Sequence, residues 1–270
     1  MQKKESSSNF TIDNKMHESS MLRMQWFREK YLNNLDEKKV VTVLDVGSQC
    51  VEGQPDTYKK FFTEPHFKYI GLDMVDGYNV DIVVKNAYQW NEIPDNYCDV
   101  IISGQMFEHV EFPWFTIQEM ARVLKPKGLI CIIVPSMQGL HRYPVNCQNY
   151  FSDGLIALAK YAGLEPLHAS TNCAPKGAGF AWYNEGIQDS MLVAQKPLEW
   201  KQQNFDIANY VFEVADLGKM STELIPIEEQ EWYVKHRWIM RIQKAFPLCY
   251  YVYKKIKMRT RQNRQTKSSR

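Results

Sequence analysis

Two short apolar runs in this chain each end in an acid at a loop: Val43-Leu44-Asp45-Val46-Gly47-Ser48-Gln49 and Tyr69-Ile70-Gly71-Leu72-Asp73. Each reads as a buried strand. In an open parallel sheet, ligands bind at the carboxyl ends of the strands, beside the point where strand order reverses. Gly47 suits a loop that lets backbone approach a ligand closely. Asp73 is placed to accept two hydrogen bonds from a ribose diol. A nucleoside-containing cofactor is the expectation.

The rest of the pattern supports an α/β chain. Ser19-Ser20 can cap a helix through Met21, Met24, Phe27 and Tyr31 to about Leu35, with apolar residues three or four apart. Strands are expected over Val40–Val46, Tyr69–Leu72, Val80–Val84, Cys98–Ser103 and Leu129–Val134, with late strands over Leu164–Ala169 and Met191–Gln195. Helices are expected near Thr57–Phe62, Pro113–Val123 and Ser152–Ala162, the last ended by Gly163 as a left-handed cap. Lys125-Pro126-Lys127-Gly128 is a turn. Strand and helix alternate, so the fold class is α/β: a Rossmann-like, doubly wound, seven-stranded and mostly parallel sheet.

Three regions follow from composition. Residues 1–18 are polar and read as a flexible N-terminus, 19–197 as the sheet domain, and 198–270 as a helical extension with a basic tail. Within the extension, Asp206–Asp216, Glu228–Phe246 and Tyr250–Arg261 read as helices, and 266–270 as disordered. No apolar stretch approaches the roughly 20 residues that cross a bilayer. The six cysteines form no C-x-x-C pair, which argues against a zinc site and for free thiols in a reducing cytosol. Without an apolar signal core at the N-terminus, a cytoplasmic protein is expected.

Charge is unevenly spread. Residues 235–270 hold 12 of the 33 Lys and Arg and none of the 31 Asp and Glu, leaving 21 basic against 31 acidic residues before them. A basic tail on an acidic body points to a polyanion. Aromatics interleave with arginines over Trp232–Ile242, and Tyr250-Tyr251-Val252-Tyr253 meets Lys254-Lys255-Ile256-Lys257. That pattern suits a peripheral helix on the anionic inner face of a membrane. A solvated tail accounts for it equally, and nucleic acid is a weaker third reading.

A dinucleotide fold wants G-x-G-x-x-G after its first strand, so that a pyrophosphate can sit on a helix N-terminus. Here Gly47 and Gly53 stand six positions apart, with Gln49, Cys50 and Val51 between them. A ribose-bearing cofactor without phosphates fits better, and S-adenosylmethionine is the common one.

At this point the chain resembles a class I S-adenosylmethionine-dependent methyltransferase, of the methyltransferase type 11 group found in bacterial surface-polysaccharide gene clusters. The segments that carry the resemblance are Val43–Gln49, Gly71-Leu72-Asp73-Met74, Val80–Val83, Asp99–Val110, Glu119–Gly128 and His141-Arg142-Tyr143-Pro144-Val145. It covers about residues 16–197.

The resemblance implies a pocket. Asp45, Gly47 and Ser48 would face the methionyl end, Asp73 the ribose hydroxyls, and Met74 the adenine ring. Asn86 and Ala87 would sit at the adenine edge, where the family usually has an acid before the small residue. Asn86 keeps an acceptor but loses the charge. Ser103 and Gln105 would floor the site near the transferable methyl. The acceptor is expected to be a small molecule or glycan, most simply a sugar hydroxyl, which must lose its proton during attack. His141 and His109 stand on ligand-facing edges and are the candidate bases, although Glu108-His109 also reads as a structural pin for its loop. Asn146 and Asn149 replace an acid and an arginine common in the relatives. Lys127 replaces a usual glycine. No metal ligands are expected. Methylation of RNA or of another small molecule, and a degenerate binding module, are the alternatives.

Overall fold

The computed structural model describes residues 18–50, 57–138, 140, 142, 144–173, 188–202 and 223–226. The chain divides into two units, the first comprising 1–171 and 187–223, the second 172–186 and 224–270. In the first unit the strands are β1 (Val41–Val46), β2 (Phe67–Asp73), β3 (Ile82–Val83), β4 (Cys98–Gly104), β5 (Leu124–Met137), β6 (Glu165–Cys173) and β7 (Gln188–Gln195). They lie in the order β3-β2-β1-β4-β5-β7-β6. The pairs β1–β2, β2–β3, β1–β4 and β4–β5 are parallel, while β7 runs antiparallel to both of its neighbours. Order reverses between β1 and β4, so a crevice opens there at the carboxyl ends of the strands. A further short strand, Glu223–Pro226, is described. The expected helices of the C-terminal extension lie outside the described residues.

Alternate residues of the central strands are buried on opposite faces, as strands covered on both sides require. Leu44, Ile101, Ile130, Ile132 and Leu192 share one core with α2 (Pro113–Val123) and α3 (Ser152–Tyr161). Val43, Val100, Ile102, Cys131 and Ile133 share the other with Met24 and Phe27 of α1 (Glu18–Phe27). Pro113 opens α2, where a missing N–H costs nothing. Gly163, at φ 69°, follows α3 in the left-handed conformation expected of it.

Three details differ from expectation. α1 starts at Glu18, and one wider π-turn carries the chain on to Leu32. Ser19 and Ser20 are not caps: their hydroxyls bond to the Asp189 carboxylate and, at 2.5 Å, to the Tyr58 hydroxyl. Tertiary partners took the groups that local capping would have used. The turn at 125–128 is a bulge within β5, where pairing jumps from Cys98–Leu124 to Val100–Leu129. Lys127 there holds φ 63°, a left-handed conformation normally left to glycine. Cys98 and Cys131 are buried free thiols, and burial pushes the Cys98 thiol up to about 12.

Candidate cofactor and acceptor site

β1 and β2 deliver their acids to one edge, in register: Asp45 pairs with Gly71, and Val46 with Leu72 one residue before Asp73. Asp45 is buried and accepts a hydrogen bond from the Tyr69 hydroxyl. Asn79 donates at 2.9 Å to that same hydroxyl and at 3.0 Å to the Ser48 carbonyl. Burial pushes the Asp45 carboxyl up to about 7; the Tyr69 bond acts against it and the Asp73 charge adds to it. A cation placed beside Asp45 would favour the ionised form.

In the loop after β1, the described backbone N–H groups, those of Gly47 to Cys50, are all engaged. Gly47 N–H and Ser48 N–H both point at the Leu72 carbonyl, at 2.9 and 3.1 Å. Gln49 N–H donates to Asp73 at 3.0 Å, and Cys50 N–H to the Tyr78 carbonyl at 3.3 Å. A pyrophosphate needs such N–H groups free. This loop offers none of these four.

Asp73 receives the Gln49 N–H on one oxygen and the Met74 and Val75 N–H groups, at 2.7 and 3.4 Å, on the other. Each carboxylate oxygen has two lone pairs, so the oxygen that takes Gln49 retains room for a ribose hydroxyl. The carboxylate is thereby aimed before any ligand arrives. Met74 beside it is 57% exposed, a large apolar side chain available to cover a ring. Gly47 takes φ 79°, and a Cβ there would lie 2.4 Å from the Met106 side chain. Gly71 is tighter still: a Cβ would meet the Asn79 carbonyl oxygen at 1.8 Å.

Several expected ligand groups are already engaged. Ser48 is buried and donates to the Asn79 carbonyl at 2.8 Å. Ser103 is buried and donates to the Val46 carbonyl at 2.8 Å, tying β4 to β1. Asn86 uses its oxygen on the Tyr88 N–H at 2.8 Å, and the Ala87 carbonyl accepts the Trp90 indole N–H at 3.1 Å. Gln105, at φ 57°, turns its amide nitrogen to Asp189 and Ser20 at 3.1 and 3.3 Å. Sequence reasoning overlooked Tyr69, Asn79, Tyr58 and Asp189. A tyrosine within the apolar second strand was the available signal for the first of these.

Of the candidate bases, His141 lies outside the described residues. His109 contacts the Val145 carbonyl through Nδ1 at 2.5 Å. A carbonyl only accepts, so Nδ1 carries the proton and the loop is pinned. The neighbouring Glu108 is fully buried, its carboxyl oxygens lack a hydrogen-bond donor, and the closest His109 nitrogen is 3.6 Å away. Burial pushes the Glu108 carboxyl up to about 8; its own backbone N–H lowers it, and the Asp189 charge raises it further. Asn149 donates to the Gln138 carbonyl at 3.4 Å. Among the described residues no cluster has the makings of a metal site, and no helix is long and apolar enough to cross a membrane.

Strand order 3-2-1-4-5-7-6 with a reversed seventh strand is a Rossmann-like, doubly wound architecture. Residues 56–132 match the family model described as "Methyltransferase domain". That segment spans β2 to the middle of β5 and includes Asp73 and Glu108. The residues around Asp45 and Asp73 fit S-adenosylmethionine: an aimed diol acceptor, a buried acid for a cation, and, over Gly47 to Cys50, no free N–H groups for a phosphate.

Solved structures with the same kind of fold include a cyclase, SpnF, at 19% identity over 66% of this chain and 81% of that one, with a TM-score of 0.49. An S-adenosylmethionine-dependent methyltransferase from Archaeoglobus fulgidus shares 16% identity over 66% and 95%, with a TM-score of 0.47. A 1,6-didemethyltoxoflavin-N1-methyltransferase from Burkholderia thailandensis, solved with its substrate and S-adenosylhomocysteine, shares 16% over 67% and 79%, with a TM-score of 0.47. No curated protein matches the chain in sequence.

Proposed function

We propose that this protein binds S-adenosylmethionine at the carboxyl ends of β1 and β2 and transfers its methyl group to an acceptor hydroxyl, that of a sugar in surface-glycan assembly. The observation that carries the cofactor half is the run of engaged N–H groups from Gly47 to Cys50 beside an Asp73 carboxylate held by three backbone N–H groups. S-adenosylmethionine supplies a methyl group already activated on a positively charged sulfur. The chain's own residues then align, exclude water and hold protons. Asp73 holds the ribose, Met74 covers the adenine, and Asp45 offers a negative charge to the cationic end. The sugar acceptor is supported by the resemblance of the sequence to polysaccharide-cluster enzymes, and fold alone does not fix it.

His141 is the proposed base, since the Nδ1 of His109 is held by the Val145 carbonyl and its Nε2 stands 3.6 Å from the buried Glu108 carboxyl. Residues 235–270 are proposed to hold the protein at an anionic membrane surface from the cytoplasmic side. Their 12 basic residues and lack of any acid support this. The test of the cofactor assignment is Asp73→Ala. It should weaken S-adenosylmethionine binding at least tenfold, about 1.4 kcal/mol, with the fold intact by circular dichroism. An unchanged affinity would remove Asp73 from the ribose.

A further inference from the structure

The Tyr69 hydroxyl is a part of the β1–β2 edge that apolar packing does not explain. Residues two apart on a strand share a face, so Tyr69 and Gly71 of β2 lie beside their register partners Val43 and Asp45 of β1. The Tyr69 ring is already accounted for. Its centroid stands 6.3 Å from that of Phe62, and Lys59 Nζ lies 5.6 Å from it. A phenylalanine would keep both contacts. The oxygen serves a chain of hydrogen bonds instead.

That chain has a fixed direction. Asn79 Nδ2 donates one hydrogen to the Tyr69 oxygen at 2.9 Å and the other to the Ser48 carbonyl at 3.0 Å. A carbonyl only accepts, so the Asn79 amide cannot be turned over. The Tyr69 proton is therefore left for Asp45 Oδ2. Burial and the Asp45 charge hold the phenol far above its ordinary value, so it keeps that proton. The other Asp45 oxygen takes no hydrogen bond from the described residues and is not sealed from solvent. One carboxylate oxygen is tied, and the other is left for a ligand.

Asn79 is placed by its backbone for this task. It holds φ 70°, a left-handed conformation in which asparagine is enriched among residues with a side chain. Its carbonyl accepts the Ser48 hydroxyl at 2.8 Å, so main chain and side chain both clasp the loop after β1. Gly71 makes room for it, since a Cβ there would meet that carbonyl. A turn that merely reversed the chain could use glycine at the same φ. The amide is an addition to the turn.

We infer that Tyr69 and Asn79 are positioning residues: they hold the Asp45 carboxylate with its open oxygen toward the ammonium of the cofactor's amino-acid end, and so select a nucleoside that carries that end over the same nucleoside without it. This selection rests on the cofactor reading above for the nucleoside itself and adds the residues that discriminate its tail. The groups facing Asp45 are Tyr69 and Asp73 of β2, Cys50 after β1 and Tyr58 in the short helix that follows. On β4 its register partner is Ile102, which does not titrate. Burial and the Asp73 charge favour the neutral acid, while the Tyr69 bond favours the ionised form. Losing that bond moves the Asp45 titration upward.

The test is calorimetric titration of the full chain at pH 5.5, 6.5 and 7.5 with two probes. S-adenosylhomocysteine carries the ammonium, and 5′-methylthioadenosine lacks the whole amino-acid end. The series stays below about 7.7–8.0, where α-amino groups lose their charge. For wild type, S-adenosylhomocysteine affinity should rise with pH while that of methylthioadenosine stays flat. Tyr69→Phe should weaken S-adenosylhomocysteine about tenfold at pH 6.5 and recover part of the loss at pH 7.5, with methylthioadenosine unchanged. Asn79→Gly keeps the left-handed backbone, deletes the donor to Tyr69 and should show the same split if Tyr69→Phe fails to fold. In an Asp45→Asn background, Tyr69→Phe should cost nothing further, because the carboxylate it orients is gone. Equal losses for both probes, no loss for either, or a loss that persists beside Asp45→Asn would overturn the inference. Wild type binding both probes equally would also sink it while leaving the cofactor site standing. Binding of neither probe would remove the cofactor reading and this one with it.

Discussion

On the β1–β2 side of the carboxyl edge, the four backbone N–H groups from Gly47 to Cys50 and both Asp73 oxygens have partners. On the β4–β5–β7 side, six buried side-chain oxygens have none. The first side is built as a finished surface whose groups are aimed before a ligand comes. The second is built at a cost of about 1–3 kcal/mol for each unsatisfied buried group. One sheet edge thus carries a satisfied half and an unsatisfied half.

The sharpest way to break the comparison is to damage the finished side. Gly71→Ala places a methyl group 1.8 Å from the Asn79 carbonyl oxygen and 2.6 Å from Ser48 Oγ, so β2 must separate from the 77–81 turn. We expect a loss of about 3 kcal/mol or more of stability, read as a lowered denaturation midpoint, together with loss of nucleoside binding. A midpoint within error of wild type would show that this packing is not tight.

Next comes the unsatisfied side. Glu108 and Asp45 sit near 8 and 7 in the fold, against about 4 for carboxyls in an unfolded chain. Between those values the folded state holds more protons, so ligand-free stability falls as pH rises from about 4 to about 8. Below that window both states are protonated and the effect vanishes. Glu108→Gln should remove the upper part of the fall. Measured by urea unfolding at pH 5, 6.5 and 8, the variant should gain on wild type by about 3 kcal/mol across the series. Parallel curves would mean that Glu108 does not titrate there.

The smallest effect is a control at the opposite edge. Lys127 holds φ 63°, a conformation that suits glycine, and Lys127→Gly removes that strain while adding freedom to the unfolded chain. A gain of about 0.5 kcal/mol, with nucleoside binding unaltered, is expected from thermal melts. A loss of stability would mean that the lysine side chain packs usefully.

The finished side was also the legible one. Asp45, Gly47 and Asp73 stand at fixed offsets from apolar runs, and strand period and loop chemistry suffice to bring them together. Gly163 likewise announced its left-handed cap. The unsatisfied side was opaque because its contacts span the chain: Ser19 and Asp189 are 170 positions apart. Local rules assigned Ser19 and Ser20 to capping, and a buried polar network claimed them instead. β6 and β7 run longer than their apolar runs suggest, since Thr171, Asp189 and Ser190 extend them as buried polar residues. The fit of Tyr58 against Gly104, where a Cβ would lie 2.0 Å from the tyrosine oxygen, is a packing fact no period encodes.

Isothermal titration of the full chain with S-adenosylmethionine, beside a pyrophosphate-bearing dinucleotide such as NAD, tests the central claim most directly. The account predicts one-site binding of the sulfonium nucleoside, abolished or weakened at least tenfold in Asp73→Ala, and no heat from the dinucleotide. Tight dinucleotide binding, or silence with S-adenosylmethionine, would contradict it.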